Sequence, residues 1–387
     1  MYGLINLAGR QLQPNITASM AFARTGQLAL HAILHSDNAT DSMLPAVKTL
    51  EVLNHDPASH GVQHMRIEVD ETVQGVRQTV AELFAEFAHL RWILHATGGN
   101  KMMSAALVQL ATHPRVECVV YRDLRKGWQT LRPNASAEIC ELPLQPGCGT
   151  EAALLDAEVK LDRLPLLQLV RAQFVDSSNR AELDAHAPLP NAHPLDWIKC
   201  VHQDRRRHSF KSYPAAQGLS SDGTAFEAWI ASVLLEAGAC QVLWNCVART
   251  ADATPVLECD VVAVHGDRIA IYNAKIDKPD APGKTAQIRE AAETTKLLGG
   301  LSAQCVLLRP NWPPAGAAVQ GLAQALNVRL ITSQDRSQFV HSLLAPLGLG
   351  GALAQHSALA HIQHVWNQIY QRSPTHPFHH SVQARRA

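Results

Sequence analysis

The sequence predicts an α/β protein in several parts. These are a Rossmann-like unit over residues 1–134, a small irregular connecting region over 135–220, a second α/β unit over 221–350, and a helix with a flexible tail over 351–387. Three observations predict it. Short apolar runs alternate with amphipathic stretches through the first third, the pattern of a parallel sheet wrapped by helices. Pro143, Pro146, Pro188, Pro190 and Pro194 then break any period. Beyond them the order is helix, three antiparallel strands, helix, strand.

In the first unit Leu4 to Leu7 reads as a strand, followed by a helix near Thr17 to Arg24. Leu28 to Leu34 and Met65 to Val69 are the next strands, with helices over Asp41 to Leu53 and Thr72 to Phe87. Leu90 to Ala96 is a fourth strand and Lys101 to Thr112 a helix. Val116 to Tyr121 and Trp128 to Leu131 form a hairpin-like edge. In such sheets ligands bind beyond the carboxyl ends of the strands, which singles out the loops after Leu7, His35 and Ala96. The connecting region carries a helix over Asp162 to Gln173. In the second unit a helix over Thr224 to Glu236 stops at Gly238, and strands follow at Gln241 to Ala248, Leu257 to Val264 and Arg268 to Ile276. Ala286 to Leu298 is a helix ended by Gly299-Gly300. Cys305 to Leu308, a helix near Ala315 to Leu326 and Val328 to Thr332 complete the pattern.

Composition narrows the function. The 387 residues include 34 Lys plus Arg and 34 Asp plus Glu, so overall charge attracts no polyanion and any nucleic acid must find a local patch. No apolar run approaches the ~18 residues of a membrane span, and the N-terminus lacks a secretory pattern, so a cytoplasmic protein is expected. The eight cysteines form no C-x-x-C pair, which disfavours zinc-ribbon and redox motifs and leaves buried free thiols. The 20 histidines include no H-E-x-x-H, and His376, His379 and His380 sit beside Pro374 and Pro377 in a flexible end.

The strongest local chemistry lies between Leu257 and Lys275. A two-residue loop at Gly266-Asp267 suits a tight hairpin. Counting back from it sets Asp260 opposite Asn273 and Glu258 opposite Lys275, and period-2 alternation puts all four on one face. Two carboxylates, an amide and an ammonium there could hold Mg²⁺ or Mn²⁺, with Glu227 reaching in from the preceding helix. The plainer reading is a cross-strand Glu258–Lys275 pair on a solvated face, worth ~0.2–1 kcal/mol.

In the first unit Thr97-Gly98-Gly99-Asn100-Lys101-Met102 follows the fourth strand and opens a helix. Paired glycines let a ligand approach the backbone, and the amides of a helix start attract phosphate. The same residues also suit a bare strand-to-helix turn. Asn15, after Pro14, is a helix cap or a reader of a base edge, and Ser36 a cap or a pocket hydroxyl. The basic run Arg205-Arg206-Arg207, with Lys278, Lys284, Arg289 and Lys296, suits either a phosphate backbone or solvent. Phe210 and Tyr213 are too few aromatics to argue base stacking.

The Pro14-Asn15 and Thr97 to Met102 elements resemble those of the CARF domain, the cyclic-oligoadenylate sensor of type III CRISPR systems. Asp260 and Lys275 on paired strands, after a helix carrying Glu227, resemble the PD-(D/E)XK nuclease core. Together they resemble the CARF–nuclease effectors of the Card/Can type. The resemblance implies a homodimer that binds cyclic tetra-adenylate at Asn15, Ser36, Thr97, Gly98, Gly99, Asn100 and Lys101. It also implies metal-dependent cutting of DNA or RNA, with Asp260 and Glu258 on the metal and Lys275 acting on water. The usual carboxylate two residues before that lysine is Asn273 here, which offers no charge. Glu258 or Glu290 are substitutes. The alternative is a CARF sensor whose degenerate nuclease fold binds nucleic acid or a partner without cutting.

Overall fold

A computed structural model describes residues 1–123, 127–133, 139–143, 161–174, 181–186, 227, 230–231, 233–235, 237–250, 255–275, 284–300, 303–309, 315–332 and 339–350. The basic run 205–207, Phe210, Tyr213, Lys278 and the 351–387 tail with its histidines lie outside them. Two compact units emerge, unit 1 over Met1–Ser177 and unit 2 over Ser178–Gly299 and Ala303–Ala387.

Unit 1 is built on a seven-stranded sheet, sheet A. Its strands are β1 (Tyr2–Leu7), β2 (Leu28–His35), β3 (Gln63–Glu68), β4 (Arg91–His95), β5 (Val116–Asp123), β6 (Gly127–Pro133) and β7 (Ile139–Pro143), in the order β3-β2-β1-β4-β5-β6-β7. The first five strands are parallel, and β6 and β7 return antiparallel. The helices are α1 (Gln13–Ala23), α2 (Leu44–Leu53), α3 (Val73–Glu86), α4 (Lys101–Gln109) and α5 (Leu166–Gln173). Ile5, Leu7, Leu30, Leu34, Trp92 and Leu94 pack beneath Val76, Val80 and Phe84 of α3 and Met103 and Leu107 of α4. The opposite face packs Ile33 against Ala46 of α2. The Rossmann-like expectation is met.

Three details depart from the sequence reading. The first helix begins at Gln13 rather than near Thr17, because Pro14 sits in its first turn, where a missing N–H costs nothing. A π-helical turn over Ala39–Met43 precedes α2, with Asn38 capping it through the Asp41 N–H at 3.0 Å. Two edge strands were missed, β7 in sheet A and β8 (Ala181–His186) in unit 2. Both lie at the edge of their sheets, and Leu183 of β8 is buried.

Unit 2 holds a six-stranded sheet, sheet B, with β9 (Gln241–Thr250), β10 (Pro255–His265), β11 (Arg268–Ala274), β12 (Gln304–Arg309) and β13 (Val328–Thr332) in the order β13-β12-β11-β10-β9-β8. Strands β8 to β11 are antiparallel, and β11, β12 and β13 are parallel. One face packs Val261, Ala263, Ala270 and Tyr272 against the helix of Ile230 and Leu234 and against Leu343 and Leu344 of α8 (Phe339–Leu344). The other carries α6 (Lys284–Gly299) and α7 (Ala317–Ala325), with Ile288, Ala291 and Ala323 on Cys305 and Leu307. Gly238 stops the Glu227 helix at a φ of +99°, as its position predicted. Cys118, Cys246, Cys259 and Cys305 are buried free thiols as expected, whereas Cys240 is exposed.

Candidate functional site

Parallel pairing brings the carboxyl ends of β1, β2 and β4 to one edge of sheet A. The double glycine there is demanded first by packing. A Cβ on Gly98 would stand 1.9 Å from the Leu7 carbonyl oxygen, and Gly99 takes a φ of +69°. A Cβ on Gly9 would stand 3.0 Å from the Gly99 nitrogen, so the loop after β1 lies directly against the turn after β4. Asn100 caps α4 by accepting the Met103 N–H at 2.9 Å. Its Nδ2 donates to Glu71 Oε2 at 2.7 Å. Thr97 accepts the Arg122 N–H at 2.7 Å, and Lys101 is exposed at the first position of α4. Thus Thr97, Gly98, Gly99, Asn100 and Lys101 stay together at the sheet edge, part buried and part open.

Asn15 and Ser36 sit deeper. Asn15 is not a helix cap, because Leu12 holds that position and Asn15 lies inside α1. Its Nδ2 donates to the Leu7 carbonyl at 2.8 Å, so it ties α1 to the end of β1. Ser36 is buried, and its hydroxyl accepts the Asn38 N–H at 3.4 Å.

Beneath this edge lies a polar chain that sequence reasoning missed. Asn6 Oδ1 meets His95 Nδ1 at 3.0 Å, and Asn6 Nδ2 meets His31 Nε2 at 2.8 Å and Ser19 Oγ at 3.0 Å. His31 Nδ1 meets His64 Nδ1 at 3.0 Å, and the Ser59 backbone bonds the His64 ring. These partners assign the tautomers. His95 and His31 carry their proton on Nδ1 and His64 on Nε2, so every ring is neutral. Burial holds His31 well below its ordinary value, with His64 and His95 adding to the effect. Burial, and then Arg122, push His95 down to about 3. Asn6, His31 and His95 stand in strands that are otherwise mostly apolar, and strand patterning does not say that they meet.

In unit 2 the hairpin register agrees with the count made from Gly266-Asp267. Val261 pairs with Tyr272 and His265 with Arg268, and one further step sets Asp260 across from Asn273. Val261 and Tyr272 enter the core beneath the Glu227 helix, so alternation turns Asp260 and Asn273 toward the opposite face. Asp260 is 4 % exposed and accepts the Ala274 N–H in a short hydrogen bond. Glu258 is exposed and Lys275 half-buried. Glu227 accepts from Trp244 Nε1 at 3.4 Å. The register of β9 against β10 sets Asn245 beside Asp260. Asn245 takes a φ of +53° in mid-strand, a feature no pattern flags.

Electrostatics bind these groups into one cluster. Burial raises Asp260 to about 6, opposed by Lys275 and the Ala274 N–H and reinforced by Glu258 and Glu290. Burial, and then the Asp260 charge, raise Glu227 well above the carboxylate range. Lys275 is raised first by Asp260. Asp260, Glu258 and Glu290 thus share one ammonium, beside a Glu227 whose neutral form burial favours. Among the described residues no three His, Cys, Asp or Glu side chains are grouped to hold a metal ion. The donor chemistry still fits a hard divalent cation, because Asp260 and Glu258 offer oxygen ligands where negative charge is uncompensated. Among the described residues the buried Asn273 Nδ2 has no hydrogen-bond partner.

No protein-family model matches the chain, and no curated protein sequence is similar to it. Solved structures are similar. Can2 from Sulfobacillus thermosulfidooxidans in complex with cyclic tetra-adenylate is 15% identical, with a TM-score of 0.56 over 90% of this chain and 100% of that one. Protein VC1899 from Vibrio cholerae is 10% identical, with a TM-score of 0.60 over 90% of this chain and 98% of that one. Both likenesses extend across the two α/β units. The chain therefore has the fold of the CARF-domain effectors of the Can type that its two motifs resemble.

Proposed function

We propose that this chain is a cyclic-tetra-adenylate-activated, metal-dependent nuclease of type III CRISPR defence, working in the cytoplasm as a homodimer. Residues 1–134 are the sensor and 221–350 the nuclease domain of the PD-(D/E)XK kind. The observation that carries the reading is the crowd of carboxylates around buried Asp260, with Lys275 beside it. Buried uncompensated charge destabilises a fold and is retained where chemistry uses it. The likeness to a protein solved with cyclic tetra-adenylate bound supports the sensor half.

The ring would lie along the edge of sheet A. Amides of the partly exposed Gly99-Asn100 turn and the Lys101 ammonium meet phosphate there, while Asn15 and Ser36 hold the loops around them. Two copies related by a two-fold axis suit a symmetric ring. Binding activates only if the closed pair binds the ring better than the open one.

In unit 2 Asp260 and Glu258 would hold Mg²⁺ or Mn²⁺, with Glu227 near them. The cation supplies Lewis acidity and lowers the pKa of its water. Lys275 orients the attacking water by hydrogen bonding and offsets the negative charge that develops on the phosphodiester. Asn273 contributes only a neutral carbonyl oxygen in place of a carboxylate.

The test is cleavage of labelled single-stranded RNA, single-stranded DNA and plasmid in Mn²⁺, with and without the ring. Ring-stimulated cutting, abolished in Asp260→Ala, is the expected result. No stimulated cutting of any substrate removes the reading. The Asn273 amide favours a second reading, a sensor that binds nucleic acid or a partner without cutting. In that case Asn273→Glu creates activity that the parent lacks.

A further inference from the structure

We propose that Asp41 and Glu71 are intramolecular competitors of the anionic ligand, each occupying a side-chain donor that the ligand must take. This rests on the ligand reading above. Strand order explains how the carboxylates reach the site. Strands β3, β2, β1 and β4 are neighbours and parallel, so the loops that follow them share one edge. The loop after β1 carries Arg10, the turn after β4 carries Asn100, the turn after β2 carries Asp41, and Glu71 follows β3.

Beside Lys101, two further donors stand next to the glycine turn, Arg10 and Asn100, and each of these two is held by an acid from another loop. The Arg10 Nε donates to Asp41 Oδ1, and both side chains are open to solvent. The Asn100 Nδ2 donates to Glu71 Oε2 at 2.7 Å, also at the surface. Gly9, one residue before Arg10, lies against the Gly99 amide, so the guanidinium belongs to the same edge as the turn.

The backbones on both sides are braced. Gln173 donates to the Arg10 carbonyl at 3.0 Å and accepts the Leu12 N–H at 3.3 Å. Asp41 is fixed at the start of its π-helical turn by Asn38. Glu71 lies between Asp70, which accepts the Thr72 N–H at 3.1 Å, and Thr72, which caps α3 through Gly75 at 3.0 Å. The two pairs therefore exist before any ligand arrives.

A carboxylate and a phosphodiester offer the same acceptor oxygens, so one replaces the other at a guanidinium or amide. The exchange makes binding weaker than the donors alone allow. It also penalises a monoanion more than a ring. A single phosphate displaces one acid, whereas a ring displaces both in one encounter and gains from its effective concentration. The acids set a threshold that favours a multivalent ligand.

The experiment is calorimetric titration of the full chain with cyclic tetra-adenylate at fixed salt. Asp41→Asn, which removes the charge paired with Arg10, and Glu71→Ala, which removes the acceptor of Asn100, each tighten binding about threefold, and the double variant about tenfold. In an Arg10→Ala background Asp41→Asn loses its effect. Glu86→Gln is the control for the general field, because Glu86 ends α3 just before β4 begins, at the far edge of the sheet. Asp41→Asn and Glu71→Ala that leave affinity unchanged or weaken it overturn the competition, as does a Glu86→Gln that tightens it equally. A folded parent that binds no ring overturns the ligand reading itself, and the competition with it.

Discussion

Each unit buries a polar cluster against its sheet, and the two clusters handle burial in opposite ways. In unit 1 the groups are neutral and bond one another, since imidazole and amide each offer a donor and an acceptor, with His95 Nε2 alone of the ring nitrogens unpartnered among the described residues. In unit 2 acidic groups crowd one lysine, and burial favours the neutral form of Glu227 and raises Asp260 to about 6. The first arrangement rigidifies a fold, and the second stores unfavourable charge that a cation or a proton relieves. The contrast teaches where stability and chemistry have been separated in this chain.

The sharpest way to break the first cluster's setting is Gly98→Ala. Its Cβ would stand 1.9 Å from the Leu7 oxygen, a backbone atom that cannot move aside cheaply. A loss of about 3 kcal/mol or more is expected in urea unfolding, together with loss of ring binding. A variant as stable as the parent refutes the packing account of that glycine.

Asn6→Leu comes next. It takes the only acceptor from His95 Nδ1 among the described residues and leaves His31 Nε2 and Ser19 Oγ with each other alone at 3.1 Å, in a site almost without exposure, and about 2 kcal/mol should be lost. Asn6→Asp should not rescue it, because a charge without a cation would then be buried.

Acid then sets the two clusters against each other. His95 has a folded value of about 3 against an ordinary 6.5. Its contribution is complete above pH 6.5 and declines as pH falls toward 3, by about 2 kcal/mol at pH 5, with His31 acting in the same direction. Asp260 is raised from 3.8 to about 6, so its charge destabilises the fold above pH 6 and the penalty fades between pH 6 and 4. In chelator-treated protein, amide hydrogen exchange in β1 should accelerate on acidification from pH 7 to 5, relative to intrinsic rates, while exchange in β10 slows. Parallel behaviour of both strands breaks the comparison.

The smallest effect is at Asp260→Asn. The amide still accepts the Ala274 N–H, and one crowded charge disappears, so the melting temperature should hold or rise by a few degrees while cutting is lost. A marked fall in melting temperature would place Asp260 among structural rather than functional residues.

Much of the fold was legible because apolar periodicity survives wherever an element has a buried face. Leu4 to Leu7, Leu28 to Leu34 and Cys305 to Leu308 needed nothing else. The hairpin register was legible from Gly266-Asp267, since a two-residue loop leaves one pairing and places Asp260 across from Asn273. Strands β7 and β8 were not legible, because an edge strand buries too little to show a pattern. Of the two roles the sequence offered for Asn15, the cap is excluded, since Pro14 starts the helix earlier than the apolar period does.

What the amino-acid order determined by itself was local. It set the alternation of strands and helices, the hairpin pairing and the stop of the Glu227 helix at Gly238, each governed by backbone sterics and near-neighbour burial. What only the tertiary structure decided was which polar groups meet. His31, His64, His95 and Asn6 come from four strands, and Arg10, Asp41, Glu71 and Asn100 from four loops. Their encounters depend on strand order, and strand order follows from how whole faces pack, which no short stretch of sequence encodes.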